Sequence, residues 1–180
     1  MQSYNGIAKT LHWLVFALLS GAFVVGFYMH GLPLSPGKLQ LISWHKWTGV
    51  TIFVVVLLRL TWRLMNPPPA LPAHMSKLER GAAEGMHRLL YVLMLAMPLS
   101  GWLMSSAKGI QTVWFGLIPL PDLLAKSPPL GKALSEVHEA LGFIILAFVA
   151  VHVLAALKHH LIDRDDVLAR MVPGMKSRSK

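Results

Sequence analysis

The chain has 180 residues, 54% of them hydrophobic and only 14% charged, with a mean hydropathy of +0.54; a soluble domain carries nearly twice that charged fraction. A net charge of +9 would suit nucleic acid, but the basic residues gather at certain connections between apolar runs, which is a membrane pattern. The absence of cysteine excludes disulfides, iron–sulfur ligation and covalent attachment through Cys-x-x-Cys-His.

In chain order, four apolar runs are long enough to cross hydrocarbon. Ile7 to Met29 is the first, interrupted by Lys9 and His12 near its start. It exceeds a signal-peptide core and lacks a following Ala-x-Ala site, so a retained helix over about 7–30 is expected. The turn from His30 to Gly37 carries two prolines and leads into a second helix, expected over about 39–65. Asn66 to Pro72 contains four prolines and stops it sharply, because each removes a donor and restricts its predecessor. The third helix is expected over about 85–106, with His87 at its entrance. The longest connection, Ser105 to Gly131, carries Trp114 and Phe115 and is expected to lie along a membrane interface, the layer tryptophan favours. The fourth helix, about 132–160, closes an all-α integral membrane four-helix bundle in one domain, 1–180.

Charge sets the expected orientation. Lys9, the second connection (Arg59, Arg63, Lys77, Arg80, Arg88) and the tail (Lys158, Arg164, Arg170, Lys176, Arg178, Lys180) hold 12 of the 17 basic residues. By the positive-inside rule both termini are cytoplasmic, and the basic tail rests on anionic lipid.

That topology sorts the histidines by depth. His12 and His87 start the two outward helices and lie at the inner surface, while His45 and His138 lie near the outer one. His152 follows His138 by fourteen residues, almost four whole helical turns and a climb of roughly 21 Å, so one face of one helix offers a ligand at each surface. The outer pair is His45 with His138. The inner pair is His152 with His12 or His87, and spacing leaves both open. Two neutral imidazoles on either side of an iron are a b-type haem arrangement, and ionisable groups inside a membrane are usually functional. His30, His74, His159 and His160 fall in turns or the tail and read as solvated.

The same fourteen-residue step carries His12 to Gly26, His87 to Gly101 and His45 to Arg59. Gly26 and Gly101 then lie at the outer level, where a porphyrin needs close backbone approach. Gly49 and Gly142 lie one turn beyond His45 and His138. Small residues on membrane helices also serve simple packing. Arg59 and Arg63 fall at the inner level, where haem propionates need a cation, or where arginines simply snorkel to headgroups.

The segments Leu11-His12-Trp13-Leu14-Val15, Ser43-Trp44-His45-Lys46-Trp47-Thr48-Gly49, Gly85-Met86-His87-Arg88-Leu89-Leu90-Tyr91 and Val137-His138-Glu139-Ala140-Leu141-Gly142, with His152 beyond, resemble the bacterial cytochrome b561 family over essentially the whole chain. The resemblance implies a four-helix inner-membrane bundle with two b haems. By the family pattern His12 and His152 hold the inner haem, and His45 and His138 the outer one. His87 falls where related two-haem subunits keep a polar residue beside a quinone, with Ser20 and Arg88 as secondary candidates. Members include superoxide oxidases, which pass electrons from superoxide to ubiquinone.

The outer connections hold Lys38, Lys46, Lys108, Lys126 and Lys132 against Asp122, Glu136 and Glu139. A cationic mouth raises the encounter rate of a small anion, with Lys46 and then Lys108 the expected catalytic residues. Ordinary solvated lysines are the competing reading. The expected function is superoxide oxidation with ubiquinone reduction. The alternative is an electron-transfer subunit that docks a dehydrogenase or hydrogenase. A histidine-based metal transporter is disfavoured, because the helix interiors lack carboxylates for hard or borderline cations.

Overall fold

The computed structural model describes residues 3–175. Lys176, Arg178 and Lys180 of the basic tail lie outside the described residues. Helix α1 spans Gly6–His30, α2 Pro36–Met65, α3 Lys77–Ala107 and α4 Pro128–Lys158. All four are long and apolar enough to cross a membrane.

Local chemistry sets the helix starts, and three of them fall earlier than apolar patterning suggests. The Asn5 side chain accepts from the Ala8 N–H and caps α1. Ser35 caps α2 through the Lys38 N–H, with Pro36 in the first turn, where a missing donor costs nothing. The largest difference is at α3, which begins at Lys77 and not near 85. Ser76 and Glu79 form a reciprocal capping box, so a polar first turn extends the helix below its apolar run. Pro128 similarly starts α4 four residues before the expected 132.

Packing runs α1 on α2, α2 on α3 and α3 on α4. Across the remaining seam α1 and α4 meet through side chains, His12 with His152 and Phe27 with Phe143. The buried cluster of Val15, Ile52, Val55, Val56, Leu90, Tyr91 and Met94 joins the first three helices. Outer faces stay apolar and bare: Val24, Leu64, Val92 and Leu154, one on each helix, are 63–76% exposed. Such faces suit lipid tails, so the helices are held together by close packing and by polar contacts across the interior.

The connection after α3 is more ordered than its composition suggests. It contains a two-stranded antiparallel hairpin, β1 (Val113–Trp114) with β2 (Ile118–Pro119). Phe115 and Gly116 both take positive φ (52° and 71°) to make its turn. Trp114 Nε1 donates to Thr51 Oγ1 and Trp47 Nε1 donates to the Val113 carbonyl, pinning the hairpin onto α2.

At the opposite end the first and last described segments meet. Ser3 Oγ donates to the Arg170 carbonyl, and Trp13 Nε1 donates to the Met171 carbonyl. Here α4 passes into a π-helical turn, η1, His159–Asp163, which Arg164 ends in the left-handed conformation (φ 54°).

Candidate metal centres

Two clusters of imidazoles sit inside the bundle, one toward each end. Toward the hairpin end, His45 of α2 faces His138 of α4 with ring centroids 6.2 Å apart. Toward the terminal end, His152 of α4 stands 6.3 Å from His12 of α1 and 5.4 Å from His87 of α3. The depth sorting from sequence therefore brings the expected histidines together, and it brings all three terminal-end histidines into one cluster.

A metal held between two imidazoles, with bonds of about 2 Å, places their centroids a little over about 6 Å apart. The His45–His138 and His12–His152 separations match that span, and His87–His152 falls short of it. The carbonyl of Ala22 can only accept, so His45 donates to it from Nδ1 (3.1 Å). Ser100 gives its own proton to the Met97 carbonyl, so its oxygen accepts from His138 Nδ1 (2.9 Å). Both rings thus keep the proton on Nδ1 and leave the Nε2 lone pair for a metal, as oriented ligand histidines do.

The terminal-end cluster is less uniform. His87 Nδ1 donates to the Ala83 carbonyl (2.7 Å) and leaves its Nε2 lone pair open. His12 Nδ1 accepts from Arg59 Nη2 (2.8 Å), because guanidinium only donates. Accepting at Nδ1 leaves the ring proton on Nε2, so ligation by His12 through Nε2 requires Arg59 to turn to another partner. Arg59 and Arg63 also lie over the Tyr91 ring at 5.3 and 6.0 Å. Both arginines line a cleft with Tyr4, Trp62, Asn66 and Met171.

The glycines divide. A Cβ on Gly101 would stand 3.0 Å from His138 Cε1, and one on Gly26 would stand 3.3 Å from His45 Cε1. These two face the hairpin-end rings. Gly49 meets nothing within 4 Å, and Gly142 faces Met97 and Phe23, an apolar packing contact.

Four further candidates are engaged elsewhere. Ser20 Oγ donates to the Phe16 carbonyl of its own helix on an exposed face. Arg88 pairs with Glu84 at 3.4 Å, and its side chain is 81% exposed. Lys46 Nζ donates to the Ile110 and Gln111 carbonyls, tying α2 to the connection after α3. Lys108 caps the end of α3, and its side chain passes over Gly131.

Sequence reasoning missed Ser100, which orients His138, and Tyr91 beneath the arginines. It also read His159 as solvated, and the structure corrects that, while His74 is exposed as expected. His159 pairs with Asp163 and Asp165 and is only 14% exposed, and His74 pairs with Asp165. The available signal was a histidine followed by carboxylates at the fourth and sixth positions.

The sequence profile described as prokaryotic cytochrome b561 matches residues 3–174. "Cytochrome b561 homolog 2" of Escherichia coli is 33% identical over 173 residues, covering 95% of this chain and 92% of that protein. "Probable superoxide oxidase CybB" of Yersinia pestis is 27% identical over 172 residues, covering 96% and 97%. "Cytochrome b561 homolog 1" of Escherichia coli is 27% identical over 179 residues, covering 96% and 99%. With four membrane-length helices and paired histidines in their interior, the chain belongs to the prokaryotic cytochrome b561 family of multi-pass, haem b-binding electron-transfer proteins.

Proposed function

We propose that this cytochrome carries two haems b and moves electrons from superoxide at the hairpin end to ubiquinone near the terminal end. The hairpin end is then periplasmic and both termini are cytoplasmic, in an inner membrane. The observation that carries the reading is the pair of imidazole couples with centroids at 6.2 and 6.3 Å, one toward each end of the bundle. Haem b, when bound, supplies one-electron carriage.

This chain's residues fit that group. His45 and His138 offer Nε2 lone pairs, and Gly26 and Gly101 keep the space beside their rings open. Arg59 and Arg63 supply cations for propionates at the other end, which would also release His12 Nδ1 from Arg59. Each superoxide anion gives up one electron and leaves as O2. Two such electrons and two protons convert ubiquinone to ubiquinol. Lys46 and Lys108, with Lys38, Lys126 and Lys132, give the hairpin end five cations against three carboxylates, a field that draws a small anion inward. His87 keeps an open Nε2, suited to accept and return a proton at a quinone oxygen. The Yersinia relative's printed name supports the superoxide step.

Rapid mixing tests the reading. Superoxide alone should reduce the haem bands of the oxidised protein, and a soluble ubiquinone analogue should then reoxidise them. Bands that respond only when a dehydrogenase or hydrogenase is added would replace this function with that of a docking subunit.

The glycines make a ranked prediction. Gly101→Ala should lower haem occupancy at the hairpin-end centre most, because its methyl meets His138 at 3.0 Å. Gly26→Ala should have a smaller effect at 3.3 Å, and Gly49→Ala none, since open space surrounds it. Haem per chain measures all three, and equal loss in Gly49→Ala would remove the steric explanation.

A further inference from the structure

We infer that His159, Asp163, Asp165 and His74 form a binding site for a divalent transition cation of the zinc class, separate from the haem centres. Three segments build it. His159 and Asp163 stand at the two ends of η1, Asp165 follows it, and His74 comes from the connection between α2 and α3. The potential ligand atoms of His159, Asp163 and Asp165 all lie within 4.8 Å of one another.

The spacing is that of a coordination polyhedron. His159 Nδ1 is 2.8 Å from Asp165 Oδ2 and 3.2 Å from Asp163 Oδ2. His74 Nε2 is 3.3 Å from Asp165 Oδ2. Neighbouring ligands of a tetrahedral zinc, with bonds near 2 Å, are about 3.3 Å apart. A cation among His159, Asp163 and Asp165 would need only small shifts of those three side chains, and His74, placed against Asp165, completes the set by turning inward.

Charge points the same way. His159 Nδ1 faces two carboxylates and can donate one proton, so it cannot fully serve both. Lys158 Nζ pairs with Asp163 at 2.8 Å and also reaches Glu79 at 3.5 Å. This ammonium is the cation now balancing Asp163, and it has a second partner to turn to. Two carboxylates with two neutral imidazoles suit a borderline dication, and its charge would cancel theirs. Asp165, Asp163 and His159 are 9%, 21% and 14% exposed, while His74 at 58% leaves a path of entry.

The backbone is shaped for this convergence. In an α-helix the sixth residue after His159 would lie about 240° around the axis, pointing elsewhere. The wider π turn and the left-handed Arg164 (φ 54°) bring Asp165 back beside His159. Left-handed arginine is unusual, and such strain concentrates where geometry serves a site. A bound cation would fasten the end of α4 to the α2–α3 connection.

The test uses the haem-loaded full chain in detergent, stripped with a chelator and dialysed against zinc. One zinc per chain should remain, with affinity read by competition against a chromophoric chelator. Asp165→Asn and His159→Gln should each weaken it about tenfold or more, with haem content unchanged as the check on folding. Lys158→Met, which removes the competing ammonium, should tighten it several-fold. Absence of bound zinc in the wild type, unchanged affinity in Asp165→Asn and His159→Gln, or weaker affinity in Lys158→Met would each overturn the site.

Discussion

His138→Ala is expected to leave one haem per chain where two are proposed for the unaltered protein, and His45→Ala should do the same. Each substitution deletes one imidazole of the couple whose centroids lie 6.2 Å apart, and the described cluster offers no second histidine there. The terminal-end trio is untouched by either change, so its haem should remain. His138 is also held by Ser100, whose oxygen accepts its Nδ1 proton at 2.9 Å. Ser100→Ala should therefore weaken retention at the same centre without abolishing it, since the ligand stays and only its orientation loosens. Haem quantitation against protein decides the matter, and two haems retained in either histidine variant would refute the pairing.

The second large effect separates His12 from His87. His12→Ala is expected to leave one haem, while His87→Ala keeps two, because at this end the His12–His152 separation of 6.3 Å matches the span of a metal held between two imidazoles. The 5.4 Å separation of His87 from His152 is short for that purpose but leaves His87 beside the centre. Its Nδ1 is fixed on the Ala83 carbonyl, so Nε2 is the working nitrogen. In His87→Ala superoxide should still reduce both haems, and reoxidation by a ubiquinone analogue should slow on the order of 100-fold, the usual scale for losing a proton-transfer group. Two haems in His12→Ala with one in His87→Ala would exchange the roles. Wild-type reoxidation in His87→Ala would leave that histidine without a part in quinone chemistry.

Much of this was readable from the residues because membrane helices obey simple constraints. Hydrocarbon thickness fixes segment length, so apolar run length alone identifies four spans. Helical periodicity is regular over long distances, so a fourteen-residue step predicts both depth and face. Gly26 and Gly101 were found this way, and the structure sets them against His45 and His138. Polar first turns gave no such signal. The start of α3 depended on a capping box that lies outside the apolar run.

The sequence by itself determined the class of molecule, the number of spans and the levels at which the histidines sit, because these follow from one-dimensional spacing. Tertiary structure alone decided which side chains meet. It set a third histidine beside His152, turned Arg59 onto His12 and placed Ser100 behind His138. It also converted a stretch that reads as solvated tail into a cluster with His74, more than eighty residues away in sequence. Such contacts depend on helix rotation and on local departures from regular helix, such as the π turn at His159–Asp163. Neither is encoded in residue spacing, because each is fixed only when neighbouring helices pack and their polar groups find partners.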